Sequence, residues 1–195
     1  MSQNAHDFFI KDGYLTGVRQ VSSPNFNMRP SEAEIQLIVI HNISLPPAQF
    51  GGGYIEAFFQ NRLDHSQHPY FKQIEGLQVS AHLVILRTGE VIQCVNFNDR
   101  AWHAGRSSYL GLEECNDYSI GIELEGCDDL PFESVQYVVL AQVVVSLQRT
   151  YPKIQQHLAG HSDIAPIRKT DPGPCFDWVH FRDLVAKENQ AIANL

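Results

Sequence analysis

Three residues have the types and placement of a catalytic metal site: His41, His161 and Asp171. His41 closes a short β-branched run, Leu37-Ile38-Val39-Ile40. His161 follows Gly160 in a loop. Asp171 comes ten positions later, in Lys169-Thr170-Asp171-Pro172-Gly173-Pro174. Two imidazoles and one carboxylate make a three-ligand zinc set. Three protein ligands leave the fourth tetrahedral position to water, which marks a catalytic site rather than a structural one. Spacing alone does not select this set, because nine histidines offer many pairings. His157 and His161 are four apart, as in the helical HExxH zinc motif. However, Leu158 stands where that motif has Glu, and Gly160 disfavours helix there. Cys175 is a better rival, since a thiolate can replace Asp171 as third ligand. It lies past two prolines, so the two cannot easily share one metal.

The hydrophobic pattern gives the elements that must position these residues. The run ending at His41 is brief and β-branched, which predicts a buried central strand. Residues 42–53 form a loop rich in Pro and Gly, and 54–63 carry the apolar spacing of a short helix. Residues 64–78 read as a polar loop with His65 and His68. Residues 80–96 predict a hairpin turning at Thr88-Gly89. Residues 118–124 alternate around Ile120, Ile122 and Leu124 as another strand. Residues 132–150 are ambiguous, because the valine runs favour strand. Their length and helical spacing favour a helix, which is the reading adopted. Residues 151–177 are expected to be mostly loop, and 178–193 a closing helix with Asp177 as N-cap. Residues 1–34 look irregular, with Pro24 and Pro30 as breakers. Strands interleaved with helices and one hairpin predict an α/β fold with a mixed central sheet packed by helices. No repeat or linker divides the chain, so residues 1–195 are expected to be one domain.

Composition narrows the partners. The chain is 44% hydrophobic and 18% charged, with formal net charge −8 and pI near 5.5. An acidic chain argues against nucleic acid or an anionic membrane surface as partner. The N-terminal residues show no basic n-region, apolar run or small-residue cleavage site, and no stretch of about 18 apolar residues predicts a membrane span. Cys94, Cys115, Cys127 and Cys175 match no CxxC pair or disulfide scaffold, which suits reduced thiols in a cytoplasmic protein. A monomer is the default.

Several blocks carry a resemblance. They are Val39-Ile40-His41-Asn42-Ile43-Ser44-Leu45-Pro46-Pro47 with Gly51-Gly52, Val79-Ser80-Ala81-His82, Arg100-Ala101-Trp102-His103-Ala104-Gly105, residues 116–126 (NDYSIGIELEG), residues 160–166 (GHSDIAP) and residues 168–174 (RKTDPGP). In this order, over roughly residues 14–185, they resemble the AmpD-type N-acetylmuramyl-L-alanine amidases of the peptidoglycan-recognition (type 2 amidase) fold. They are similar in particular to the cytoplasmic branch, which acts on 1,6-anhydromuramyl peptides in cell-wall recycling. The resemblance implies that His41, His161 and Asp171 hold one catalytic Zn2+, that Glu123 is the acid/base and that Lys169 is the second catalytic residue. It demotes Cys175 to an ordinary thiol, because phage members of the wider fold use Cys as third ligand and this chain has Asp there. Ile167 is more apolar than the family pattern, and Ser162-Asp163 fall at a variable position.

The chemistry of these residue types agrees. A carboxylate beside a metal can take a proton from water and then give it to the leaving amine. Glu123 lies between Ile122 and Leu124, so its side chain should point opposite to theirs, and Glu125 shares its face as a lesser rival. Lys169 would stabilise the oxyanion. Trp102 is expected to stack on a sugar face, His103 and Arg106 to meet peptide carboxylates, and Asn42 to bond the alanine or lactyl amide. His82 reads as a hydrogen-bonded core or supporting histidine. The alternatives are a broad-specificity amidase of the cell envelope and a module that binds peptidoglycan without cutting it. The first would need a leader or anchor. The second would be expected to lack a zinc ligand or the acid/base residue.

Overall fold

The computed structural model describes residues 8–194. Six strands form the central sheet: β1 (Arg19–Gln20), β2 (Leu37–Ile43), β3 (Leu83–Ile85), β4 (Val91–Gln93), β5 (Ser119–Glu125) and β6 (Leu158–Gly160). Their spatial order is β6-β2-β5-β3-β4-β1. β3 and β4 pair antiparallel and every other neighbouring pair is parallel, so the sheet is mixed, as the sequence predicts. The helices are α1 (Tyr54–Phe59), α2 (Pro69–Gln73), α3 (Ser134–Thr150), α4 (His161–Ile164) and α5 (Trp178–Ala193).

Side-chain alternation along β2 and β5 divides the molecule. Ile38, Ile40, Ile120, Ile122 and Leu124 are fully buried on one face, against α3 and α5. Each such side chain contributes roughly 1.5–3 kcal/mol over its exposed state. Residues of the opposite parity face the other way. Leu37 and Val39 join a smaller core with Ala104, Ala159 and Ile164, and Val84 joins a third with Phe58, Phe59 and Phe71. The polar residues of this second face, His41 and Glu123, are direct register partners in the β2–β5 ladder. Parallel pairing thus sets them side by side.

The valine-rich segment is helical, as its spacing predicts. Val139, Leu140, Val143, Val144 and Leu147 are all buried on the sheet, so packing overrides β propensity. Gln136 Oε1 accepts from Glu133 N at the helix start, at 3.0 Å. Its Nε2 donates to Ile85 O and Glu125 O, at 3.2 and 3.1 Å, pinning α3 to β3 and β5. α5 begins where expected, with Asp177 Oδ1 accepting from His180 N at 2.9 Å.

Other expectations need correction. The expected helix over 54–63 stops at Phe59, with Asn61 in the left-handed region. The expected polar loop over 64–78 contains α2, where the His68 side chain accepts from Tyr70 N and Phe71 is fully buried. α2 has only five residues, too few for the buried Phe71 and, at its C-cap, Ile74 to show a repeat. β6 was not foreseen, because three residues are too few to show a pattern. It pairs with β2 and delivers His161, which opens α4 rather than lying in a loop. The first 34 residues, where described, hold β1 and three short strands outside the sheet. Among the described residues no helix is long and apolar enough to cross a membrane.

Candidate active site and metal centre

His41, His161 and Asp171 meet in space although 120 and 130 residues separate the first from the others. His41 Nδ1 lies 2.9 Å from His161 Nδ1 and 3.0 Å from Asp171 Oδ2, and His161 Nδ1 is also 3.0 Å from Asp171 Oδ2. His41 is held by β2 and His161 by the first turn of α4. Asp171 is held by its loop: Ser162 N donates to Asp171 O at 2.9 Å, and Asn42 Nδ2 donates to Pro172 O at 3.0 Å.

This triangle fits a cation. His161 Nε2 lies 3.0 Å from Ala104 O, and a carbonyl can only accept, so Nε2 carries a hydrogen and Nδ1 is the nitrogen turned to the triangle. Burial pushes His41 down to about 4, against the opposing pull of Asp171, so this ring is neutral at pH 7. Lone pairs and a carboxylate oxygen converging on one point repel each other unless a positive charge sits between them. Tetrahedral zinc with donors near 2.1 Å would need donor separations of roughly 3.4 Å, about half an ångström wider than the 2.9–3.0 Å observed. The three residues form a group whose donor atoms could hold a metal ion.

Glu123 stands beside this triangle, 9% exposed, and its Oε2 has no hydrogen-bond partner. Burial, then the nearby Asp171 carboxylate, pushes its carboxyl well above the usual range, and Lys169 pulls it partly back. Lys169 and Asp171 line the same cavity, so the five expected residues are brought together. Glu125 is not a rival base. Its two oxygens accept from Gly51 N and Arg87 N, at 2.6 and 3.1 Å, which anchors the glycine loop. The four cysteines are unpaired, and Cys175 stands outside the donor triangle.

The cavity over the triangle has a volume of about 780 Å³. Its lining includes the largely apolar Pro47, Phe58, Tyr70 and Leu77 and the polar Asp128, Asp129, Lys169 and Thr170. Trp102 lines it and is held edgewise by Nε1 donating to Asn27 Oδ1 at 2.7 Å. Asn42 also lines it, but its Nδ2 is occupied by Asp128 Oδ1 and Pro172 O, leaving only Oδ1 for a ligand. Two expected contacts need correction. His103 borders the cavity but is buried, with both ring nitrogens engaged by His41 and Ser119, so it has no free nitrogen for a carboxylate. Arg106 lies in a neighbouring depression beside Ile167, not in this cavity. His82 is the core histidine expected: its Nδ1 accepts from Gly121 N, at 3.0 Å.

Sequence reading missed three supports. Arg168 Nη2 donates to Ala104 O and Arg106 O, at 2.7 and 2.8 Å, fixing the carbonyl that orients His161. Asn116 Oδ1 accepts from His103 N and Ala104 N, holding the same loop. Arg29 donates to the carbonyls of Phe97, Asn116, Asp117 and Ser119. None has a local signal, because each acts on backbone distant in sequence. Gly121 is a further constraint, since a Cβ there would lie 2.4 Å from His103 Cγ. Gly121→Ala is expected to lower unfolding free energy by about 1–3 kcal/mol through overpacking, measured by urea denaturation. An unchanged midpoint would show that the ring has room to retreat.

The N-acetylmuramoyl-L-alanine amidase family model matches residues 31–174. The 1,6-anhydro-N-acetylmuramyl-L-alanine amidase AmpD of Escherichia coli is 53% identical over 179 residues, covering 92% of this chain and 98% of that protein. A crystal structure of an AmpD selenomethionine derivative superposes with a TM-score of 0.89 at 52% identity, covering 91% of this chain and 99% of that one. The Escherichia coli amidase AmiD, solved with the substrate anhydro-N-acetylmuramic acid-L-Ala-D-gamma-Glu-L-Lys, matches at 27% identity with a TM-score of 0.57. That match covers 91% of this chain and 65% of the other.

Proposed function

The chain belongs to the N-acetylmuramoyl-L-alanine amidase family, and from that premise we propose that it is a zinc enzyme of cell-wall recycling, working in the cytoplasm as a monomeric single domain. It is an N-acetylmuramyl-L-alanine amidase. The substrate is a 1,6-anhydromuramyl peptide, cut between the lactyl carbonyl and the L-alanine nitrogen. Neither nucleic acid nor a membrane is a partner. One observation carries the reading: two imidazole Nδ1 atoms and a carboxylate oxygen converge within 3.0 Å, beside a buried carboxylate with an unpartnered oxygen.

In this reading His41 Nδ1, His161 Nδ1 and Asp171 Oδ2 hold one Zn2+. When bound, the ion would supply Lewis acidity and lower the pKa of a water to about 7. Glu123 Oε2 accepts a proton from the attacking water. The water oxygen bonds to the lactyl carbonyl carbon, the C–N bond breaks, and Glu123 returns the proton to the alanine nitrogen. The products are a muramyl carboxylate and a free stem peptide. An elevated carboxyl suits the donating half of that cycle. The Lys169 ammonium balances the oxyanion on the carbonyl, a contribution of about 3 kcal/mol to the barrier. Asn42 and Trp102 line the cavity, where Asn42 Oδ1 would accept from the alanine N–H and the Trp102 ring would stack on the sugar.

Mass-spectrometric turnover of an anhydromuramyl tripeptide, beside its intact-sugar counterpart and with or without chelator, tests the proposal. Chelator-sensitive release of peptide from the anhydro compound alone is the expected result. Equal cleavage of both sugars would keep the chemistry and move the biology toward the envelope. Tight binding without cleavage would leave only a recognition module.

A further inference from the structure

Resting on the zinc reading above, we infer that His103 is a positioning residue whose Nδ1 fixes the tautomer of His41, through a hydrogen-bond chain that ends at the carbonyl of Cys115. The chain can be followed proton by proton. Ser119 Oγ lies 2.6 Å from Cys115 O, which can only accept, so the single hydroxyl proton is spent there. In its 3.2 Å contact with His103 Nε2, Ser119 Oγ can therefore only accept, and Nε2 carries a hydrogen. Among the described residues the hydrogen-bond partners of the buried His103 ring are His41 and Ser119, neither of them a carboxylate. A buried ring without a counter-charge stays neutral, so Nδ1 is bare. His103 Nδ1 lies 3.0 Å from His41 Nε2, with the two rings edge-on at 82°. His41 must donate across that contact, which leaves its own Nδ1 bare and aimed at His161 Nδ1 and Asp171 Oδ2.

Without that acceptor, His41 can place its proton on Nδ1, inside the triangle, where it blocks the metal. His161 has the simpler arrangement, since its Nε2 donates directly to Ala104 O. The sheet makes room for the longer relay. Gly121 lies beneath the His103 ring, and no side chain would fit there. Supporting partners of this kind are worth about 10–100-fold in metal affinity.

Two nearly isosteric variants separate the acceptor from the packing. In His103→Asn the amide oxygen takes the place of Nδ1. In His103→Leu the shape is kept and the acceptor is lost. Zinc affinity by competition with a chromophoric chelator is expected to fall about 10–100-fold in His103→Leu and to stay within a few-fold of the unsubstituted protein in His103→Asn. Nitrogen-15 shifts of His41 in the unsubstituted, metal-free protein at neutral pH are expected to show a protonated Nε2. Equal affinities in the two variants, or a protonated Nδ1 on His41, would overturn the inference while leaving the zinc reading intact. Failure of the unsubstituted protein to bind zinc would overturn both.

Discussion

Glu123→Gln is expected to lower kcat by about 10²–10⁴-fold while the protein still takes up one zinc ion per chain. The residue faces the metal triangle from the neighbouring strand, and its Oε2 meets no protein donor. Gln fills the same volume and can accept a hydrogen bond but cannot carry the proton from water to amine. Zinc content by atomic emission, read beside single-turnover kinetics, checks both halves. Full activity would end the acid/base assignment.

The same variant carries a stability signature in the metal-free protein. Burial and Asp171 hold the Glu123 carboxyl above its usual range, so the folded state prefers the protonated form. Such a group costs nothing below the unfolded carboxylate range. It destabilises progressively as pH rises from there toward the raised folded value. Glu123→Gln should therefore unfold at higher urea concentration than the unsubstituted protein at pH 7, with the gap closing as pH falls toward about 4.3. A gap independent of pH would mean that this carboxyl is not strained by its site.

Asp171→Ala is expected to lose the metal and, with it, turnover. Asp171 supplies the anionic member of the donor set, and two imidazoles alone would leave the ion under-coordinated. Loss of Lewis acidity worth several kcal/mol corresponds to roughly 10³-fold or more in rate. The loop itself should stay, because Ser162 N bonds to the backbone carbonyl of Asp171 and Asn42 to that of Pro172. An unchanged circular dichroism spectrum beside zinc content near zero is the expected pair of results. Stoichiometric zinc retained after dialysis would remove Asp171 from the ligand set.

Residue types and order determined much of this protein. The run ending at His41, the alternation around Ile120, Ile122 and Leu124, and the length of the valine-rich helix are all local patterns. Each survived folding because burial of one face is what stabilises it. The α/β class and the five central site residues were likewise legible, the residues through motif blocks whose order along the chain is itself informative. What folding alone decided is where distant backbone and side chains meet. The parallel register that sets His41 against Glu123 depends on a pairing between strands some eighty residues apart. The reach of Arg168 to Ala104 O is equally non-local. His103 shows the limit most clearly. Like its neighbour Trp102 it borders the cavity, yet its ring is buried over Gly121, and Ser119 and His41 take both of its nitrogens. Sequence spacing gives the direction of a side chain within its own element. Whether that direction ends in solvent, in a cavity or on another imidazole is set by the elements packed against it.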